Sequence, residues 1–196
     1  SEEFSLDDFV DSARQIMEID GHVFGIQSCI VTPVLYYNKD IFDAAGIPYP
    51  SASEAMQWED FRQLCIKLTT DDVYGCYGQE VVSTSLNAFL QSNGAAMYTD
   101  DMNTCTVNSP EAIEVLNAIR DLRIVDNAAP DATTLENIGM SANQMLQTGR
   151  VAMLIDGSWA LQELASIGFP VDMAPIPYFK TPTNIAQAHL HCISAR

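Results

Sequence analysis

The sequence predicts an α/β domain with a mixed or parallel sheet flanked by helices. Short apolar runs rich in β-branched and aromatic residues alternate with stretches whose apolar residues recur every three to four positions. One run, Val151 to Ile155, is apolar without interruption, as a strand covered on both faces must be. Caps and turn residues fall at the boundaries between runs.

Taken in order, Ser5 followed by Asp8 resembles a capping box, and Phe9, Ala13, Ile16 and Met17 then predict a helix from 5 to about 19. After Asp20-Gly21, the run His22 to Ile26 reads as a strand, and so does Val34 to Tyr37. Asn38-Lys39-Asp40 leads into a short helix through Ile41, Phe42 and Ala45 that Gly46 stops. Ile47 to Ser53, with two prolines, is a loop; Phe61, Leu64, Cys65 and Leu68 define the next helix, with Trp58 near its start. Tyr74 to Tyr77 is a strand, Leu86 to Leu90 the apolar part of a helix ending at Asn93-Gly94, and Met97 to Val107 a hairpin with a polar tip. Ser109-Pro110 opens a helix through Ile113, Leu116, Ile119 and Leu122. Residues 126 to 138 read as irregular, and Ser141 caps a short helix ended by Gly149. Asp156-Gly157-Ser158 then turns the chain from the Val151 strand into a helix from Trp159 to Ala165; Val171 to Ala174 and His189 to Ile193 are the last strands.

Composition excludes several function classes. With 9 Lys plus Arg against 26 Asp plus Glu, the 196 residues carry a formal charge of −17. Nucleic acid and anionic membrane surfaces are therefore poor partners. Five cysteines are an odd number without CxxC spacing, which indicates neither a disulfide framework nor a zinc ribbon; Cys65, on the apolar face of its helix, reads as a small buried hydrophobe. No apolar run reaches the roughly 18 residues of a membrane span. The chain opens Ser1-Glu2-Glu3 and stops inside a strand pattern, the expectation being a piece of something longer with any targeting segment removed.

No catalytic template is met. GxSxG, a Gly-rich phosphate loop and HExxH are missing, and the adjacent carboxylates at 7/8, 71/72 and 100/101 point in different directions. His189-x-His191 with Cys192 could share a strand face, but two histidines are too few for a metal site. No catalytic residue, metal or cofactor is expected. The strongest local feature is Gly149 to Leu164, where a buried strand delivers Asp156-Gly157-Ser158-Trp159 to a helix start. A carboxylate, backbone N–H groups and a large aromatic meet there at a strand's carboxyl end. Either this is a binding edge, or Trp159 is a core anchor and Asp156 a cap.

Leu35 to Ile47, reading LYYNKDIFDAAGI, with Pro50 and Trp58-Glu59-Asp60-Phe61, resembles the opening motif of the extracellular solute-binding proteins of sugar ABC transporters, the maltose-binding-protein-like family 1. Tyr74-Gly75 with Asn93-Gly94, Asn108 to Ala112, Gly149 to Trp159 and Asp172 to Pro177 match further landmarks in order; Ser51 to Met56 is longer than usual, and Gln57 stands where a Ser or Thr cap is expected. The resemblance implies a type II periplasmic-binding-protein-like fold. It also implies that residues 1–30 are a remnant of an N-terminal lobe with the first hinge crossing, 31–190 the C-terminal lobe, and 191–196 the start of the return crossing. The implied function is that of the substrate-binding component of an ABC importer, outside the cytoplasm, in a periplasm or as a cell-surface lipoprotein. Its partners would be a small-molecule carbohydrate and the permease subunits. Trp159 of this family would stack on a sugar's C–H face, with Asp156 and Glu80 accepting from hydroxyls and Tyr36 of the opening motif completing the set. A polyamine binder, or from another class a metal-dependent or glycan-acting hydrolase resting on the histidine pair, are the alternatives. With most of the N-terminal lobe outside the chain, the stripe of Phe9, Ile16 and Met17 lacks its sheet, so self-association is expected.

Overall fold

The computed structural model describes residues 5–78, 83–166 and 168–194 and divides the chain into two compact units, Ser1–Thr32 with Ala186–Arg196, and Pro33–Ile185.

In the first unit the expected helix over 5–19 comes in two pieces. The Ser5 hydroxyl accepts from the Asp7 N–H, and Phe9 N–H returns to the Leu6 carbonyl, closing a single 3-10 turn at Leu6–Asp8. Val10 is extended, so the i to i−4 ladder begins only at α1, Asp11–Met17. Asp20 and Gly21 both lie in the left-handed region, at φ 53° and 76°, as a two-residue hairpin turn of type I′ requires. They join β1, Glu18–Ile19, to β2, His22–Val23. β3, Ile26–Val31, pairs antiparallel with Gln187–His191. The helical stripe is partly housed: Ala13 and Met17 are buried and the Gln27 N–H points at Met17 Sδ at 3.2 Å, while Ile19, Val23, Phe24 and Ile30 remain exposed.

The second unit follows the predicted alternation closely. β4, Pro33–Asn38, runs into α2, Lys39–Ala45; the Asn38 side chain accepts from the Asp40 N–H, and Gly46 closes the helix at φ 64°. α3, Trp58–Leu68, starts at Gln57 without a side-chain cap bond; β5 is Tyr74–Tyr77 and α4 Ser83–Ser92. α5, Pro110–Ile124, is capped by Ser109, whose hydroxyl accepts from the Ala112 N–H. The expected hairpin before it shrinks to one bridge, Tyr98 to Cys105. The stretch 126–138 is not irregular throughout, since Asp131 caps α6, Ala132–Ile138, and Gly139 ends it in the left-handed region. α7, Ala142–Gln147, carries a full capping box between Ser141 and Gln144. β6, Val151–Gly157, passes through a 3-10 turn, Ser158–Ala160, into α8, Leu161–Ser166, so the helix expected from Trp159 starts two residues late. β7 is Val171–Ala174, and β8 is the strand Gln187–His191. The order is β5-β6-β4-β7, with β5 parallel to β6 and the other pairs antiparallel, a mixed sheet with β6 and β4 in its middle.

Both faces of this sheet are covered. Over one lies a large cluster built from α3, α4 and α5, in which Trp58 stacks on Phe179 with centroids 4.7 Å apart and meets Phe89 edge-on. The other face packs Tyr36, Val151 and Leu154 on Met145, Leu146 and Leu164. Arg62 of α3 clamps Asp126 beyond α5 in a two-pronged ion pair, 2.6 and 2.8 Å, and the carboxylate is almost fully buried.

Helix and sheet approach closely at Gly75. A Cβ there would lie 2.0 Å from the Cys65 carbonyl oxygen, so strand and helix backbones touch with nothing between them. Because the obstacle is backbone, the fold cannot yield cheaply. Gly75→Ala is expected to lower the unfolding free energy by roughly 2–4 kcal/mol in urea; a loss below about 0.5 kcal/mol would show that α3 can move off the sheet.

Candidate functional site

The carboxyl end of β6 is where the predicted residues meet. Three of the four, Tyr36, Asp156 and Trp159, come together there; Glu80 lies outside the described residues.

Gly157 organises the group. It is buried and ordinary in conformation, at φ −74°, and its role is space: a Cβ would lie 2.2 Å from the six-membered ring of Trp159. The indole therefore rests on bare backbone, with 47% of the residue exposed. The Gly157 carbonyl accepts from the Tyr36 hydroxyl at 3.1 Å, and its N–H donates to Asp156 Oδ1 at 2.7 Å. Tyr36 is 1% exposed, and burial, with the Asp156 charge adding, pushes its phenol up to about 12. In this structure Tyr36 supports Gly157 from within.

Asp156 is half-buried. Burial raises its carboxyl above the ordinary range, the nearby charge of Glu163 adds to this, and hydrogen bonds from the Gly157 N–H and the Trp159 indole oppose it. Sequence reasoning missed four neighbours. Tyr77, at the end of β5, feels Asp156 and the opposing charge of Arg123 from α5. Asn143 of α7 donates to Glu163 of α8 at 2.7 Å. Behind Tyr36, a hollow of about 280 Å³ is lined by Leu161, Ala165, Phe169, Val171, Asp172 and Met173. Two larger hollows, one beside Trp58 and Arg62 and one between α2 and Gly149, contain none of the predicted residues.

The arrangement suits recognition. A half-exposed aromatic face stands beside hydrogen-bonding groups, and among the described residues no three of His, Cys, Asp and Glu converge as a metal site would need. His189 and His191 are exposed on β8. No helix among the described residues is long and apolar enough to cross a membrane.

A mixed sheet covered on both faces by helices is the architecture this chain shares with solute-binding proteins of known structure. The chain belongs to the bacterial extracellular solute-binding proteins, whose family pattern matches residues 4–191. It is 26% identical over 172 residues to the sn-glycerol-3-phosphate-binding periplasmic protein of Agrobacterium fabrum, covering 82% of this chain and 37% of that one. Against the arabinooligosaccharide-binding protein of Halalkalibacterium halodurans the identity is 26% over 165 residues, 79% and 34% of the two chains. An ABC substrate-binding protein of Listeria monocytogenes, solved in complex with cycloalternan, superposes with a TM-score of 0.86 at 26% identity, over 95% of this chain and 47% of its own. The fold is thus of the type II periplasmic-binding-protein kind, and the chain spans less than half the length of these relatives.

The raised carboxyl of Asp156 sets a pH dependence. Its contribution to stability is full below the carboxyl's unfolded-state value of about 3.8 and is lost as pH rises through the folded value. Asp156→Asn keeps the acceptor for the Gly157 N–H and removes the charge. Calorimetry is expected to find the variant about 1–3 °C more stable than the parent at pH 7, the gap closing toward pH 3.5. A parent more stable at pH 7 would mean that the charge is favourably held.

Proposed function

We propose that this chain is the C-terminal lobe, residues 31–190, and the hinge-crossing strands of the substrate-binding component of an ABC importer. Its ligand is a sugar or oligosaccharide, held for uptake by the permease subunits, and no bond is broken. The observation that carries this reading is Trp159, a large aromatic kept half-exposed by a glycine that exists to seat it. A pyranose offers such a ring its C–H face, while Asp156 and Glu80 accept from hydroxyls. The oligosaccharide named for the Halalkalibacterium relative and the cycloalternan of the Listeria complex support a carbohydrate over a polyamine. The site of action is outside the cytoplasm, in a periplasm or on a lipid-anchored protein at the cell surface; a Streptomyces antibioticus lipoprotein, 30% identical over 135 residues, supports the latter.

A pocket between lobes depends on both walls, so binding belongs to the protein that carries both, and the 196-residue chain alone is expected to bind weakly. Ile19, Val23, Phe24 and Ile30 on its first unit also favour self-association, which light scattering would register as a mass above that of the monomer.

A thermal-shift screen of oligosaccharides, glycerol 3-phosphate and polyamines identifies the ligand, and calorimetry then measures its affinity. Trp159→Ala is expected to cost about 1–3 kcal/mol of sugar affinity and less than that in stability. Unchanged affinity for a verified sugar, or an unfolded variant, would return Trp159 to a role in the core.

A further inference from the structure

We propose that Cys65 of α3 and Cys76 of β5 are a disulfide-forming pair, which ties helix to sheet across the core of the second unit when the protein folds under oxidising conditions. The proposal is independent of which ligand the protein binds.

Three observations place the pair. Both residues are wholly buried in the same hydrophobic cluster, whereas Cys29, Cys105 and Cys192 are exposed. The Cys65 thiol also feels Cys76 as an electrostatic neighbour. The backbones are locked together one residue away, since a Cβ on Gly75 would stand 2.6 Å from the Cys65 Cα. Cys76 follows by a single peptide step of about 3.8 Å, and its own backbone is fixed by an N–H bond to the Ala128 carbonyl at 3.1 Å. A disulfide needs Cα atoms roughly 4.4–6.8 Å apart and side chains that point together; the backbone contact at Gly75 brings the two cysteine positions within reach of that span.

The chemistry follows from burial. Burial pushes the Cys65 thiol up, and the neighbouring Cys76 adds to the shift, so the thiolate that would attack a disulfide is suppressed once the core has closed. The bridge therefore forms while the chain folds. One cysteine thiolate attacks a sulfur of an external small-molecule disulfide and releases one thiolate from it. The second cysteine thiolate then attacks the mixed disulfide and releases the other. The two cysteines lose two protons and two electrons, and the external disulfide is reduced to two thiols. Extracellular proteins of this family meet oxidising surroundings in which such a bond persists.

The test uses the 196-residue chain with the exposed Cys105 changed, Cys105→Ser, refolded from guanidine in reduced and oxidised glutathione, then alkylated and digested. Trypsin cuts after Arg62, Lys67 and Arg120, so the bridge would join peptide 63–67 to peptide 68–120 at their summed mass less two hydrogens. That species is expected to dominate, and the bridged protein to melt roughly 5–10 °C above the same protein treated with a phosphine reductant. Either of two results would overturn the proposal: a folded protein whose Cys65 and Cys76 take up alkylating reagent only after unfolding and are never linked, or a linked Cys65 whose partner is Cys29 or Cys192. The first would make the pair a packing contact only.

Discussion

Five consecutive apolar side chains, Val151 to Ile155, constrain the second unit more than any other feature. A strand with no polar face must be covered on both sides, and its backbone groups must find partners on both edges. β4 supplies one edge in antiparallel register and β5 the other in parallel. A parallel neighbour cannot be reached by a tight turn, so the chain between β5 and β6 has to cross over, and α4, α5, α6 and α7 occupy that crossing. The covering layers then divide into the aromatic cluster around Trp58, Phe89 and Phe179 and the smaller cluster around Tyr36 and Leu154. Where β6 leaves the core its residues change character in a single step, from Ile155 to half-buried Asp156, and the candidate site begins there.

Much of this was legible because local chemistry and tertiary demand agree. Ser109 and Ser141 are caps in sequence and in structure, and Gly46 ends α2 with the left-handed residue its position called for. The misses have physical causes. α6 has Asp131 and Gly139 at its ends, but its interior, Ala-Thr-Thr-Leu-Glu-Asn-Ile, has too few apolar residues to display a helical period. The N-terminal helix breaks because a serine cap is equally content on a 3-10 turn, and nothing in the spacing of Phe9, Ala13 and Met17 reports an extended Phe9-Val10.

The site was legible only where it is contiguous. Asp156 and Trp159 sit in one motif and were found together. Tyr77, Arg123, Asn143 and Glu163 come from four elements and share no spacing, so only the fold can assemble them. Tyr36 belongs to the opening motif, and its hydroxyl donates to the Gly157 carbonyl. The null side chain of Gly157 is invisible to any search for reactive groups, yet the seating of Trp159 depends on it.

That tyrosine-to-glycine bond also joins positions 121 residues apart in the chain. The central pair of the sheet, β4 with β6, has the same long reach, so synthesis must pass residue 157 before the core can close. Loop closure over such a distance comes before any contact can reward it, which slows folding. A nascent chain that has made β4, α2 and α3 still holds an unfinished sheet. For a member of an extracellular family, delay is useful: a polypeptide that cannot fold early can still be threaded through a membrane as an extended strand.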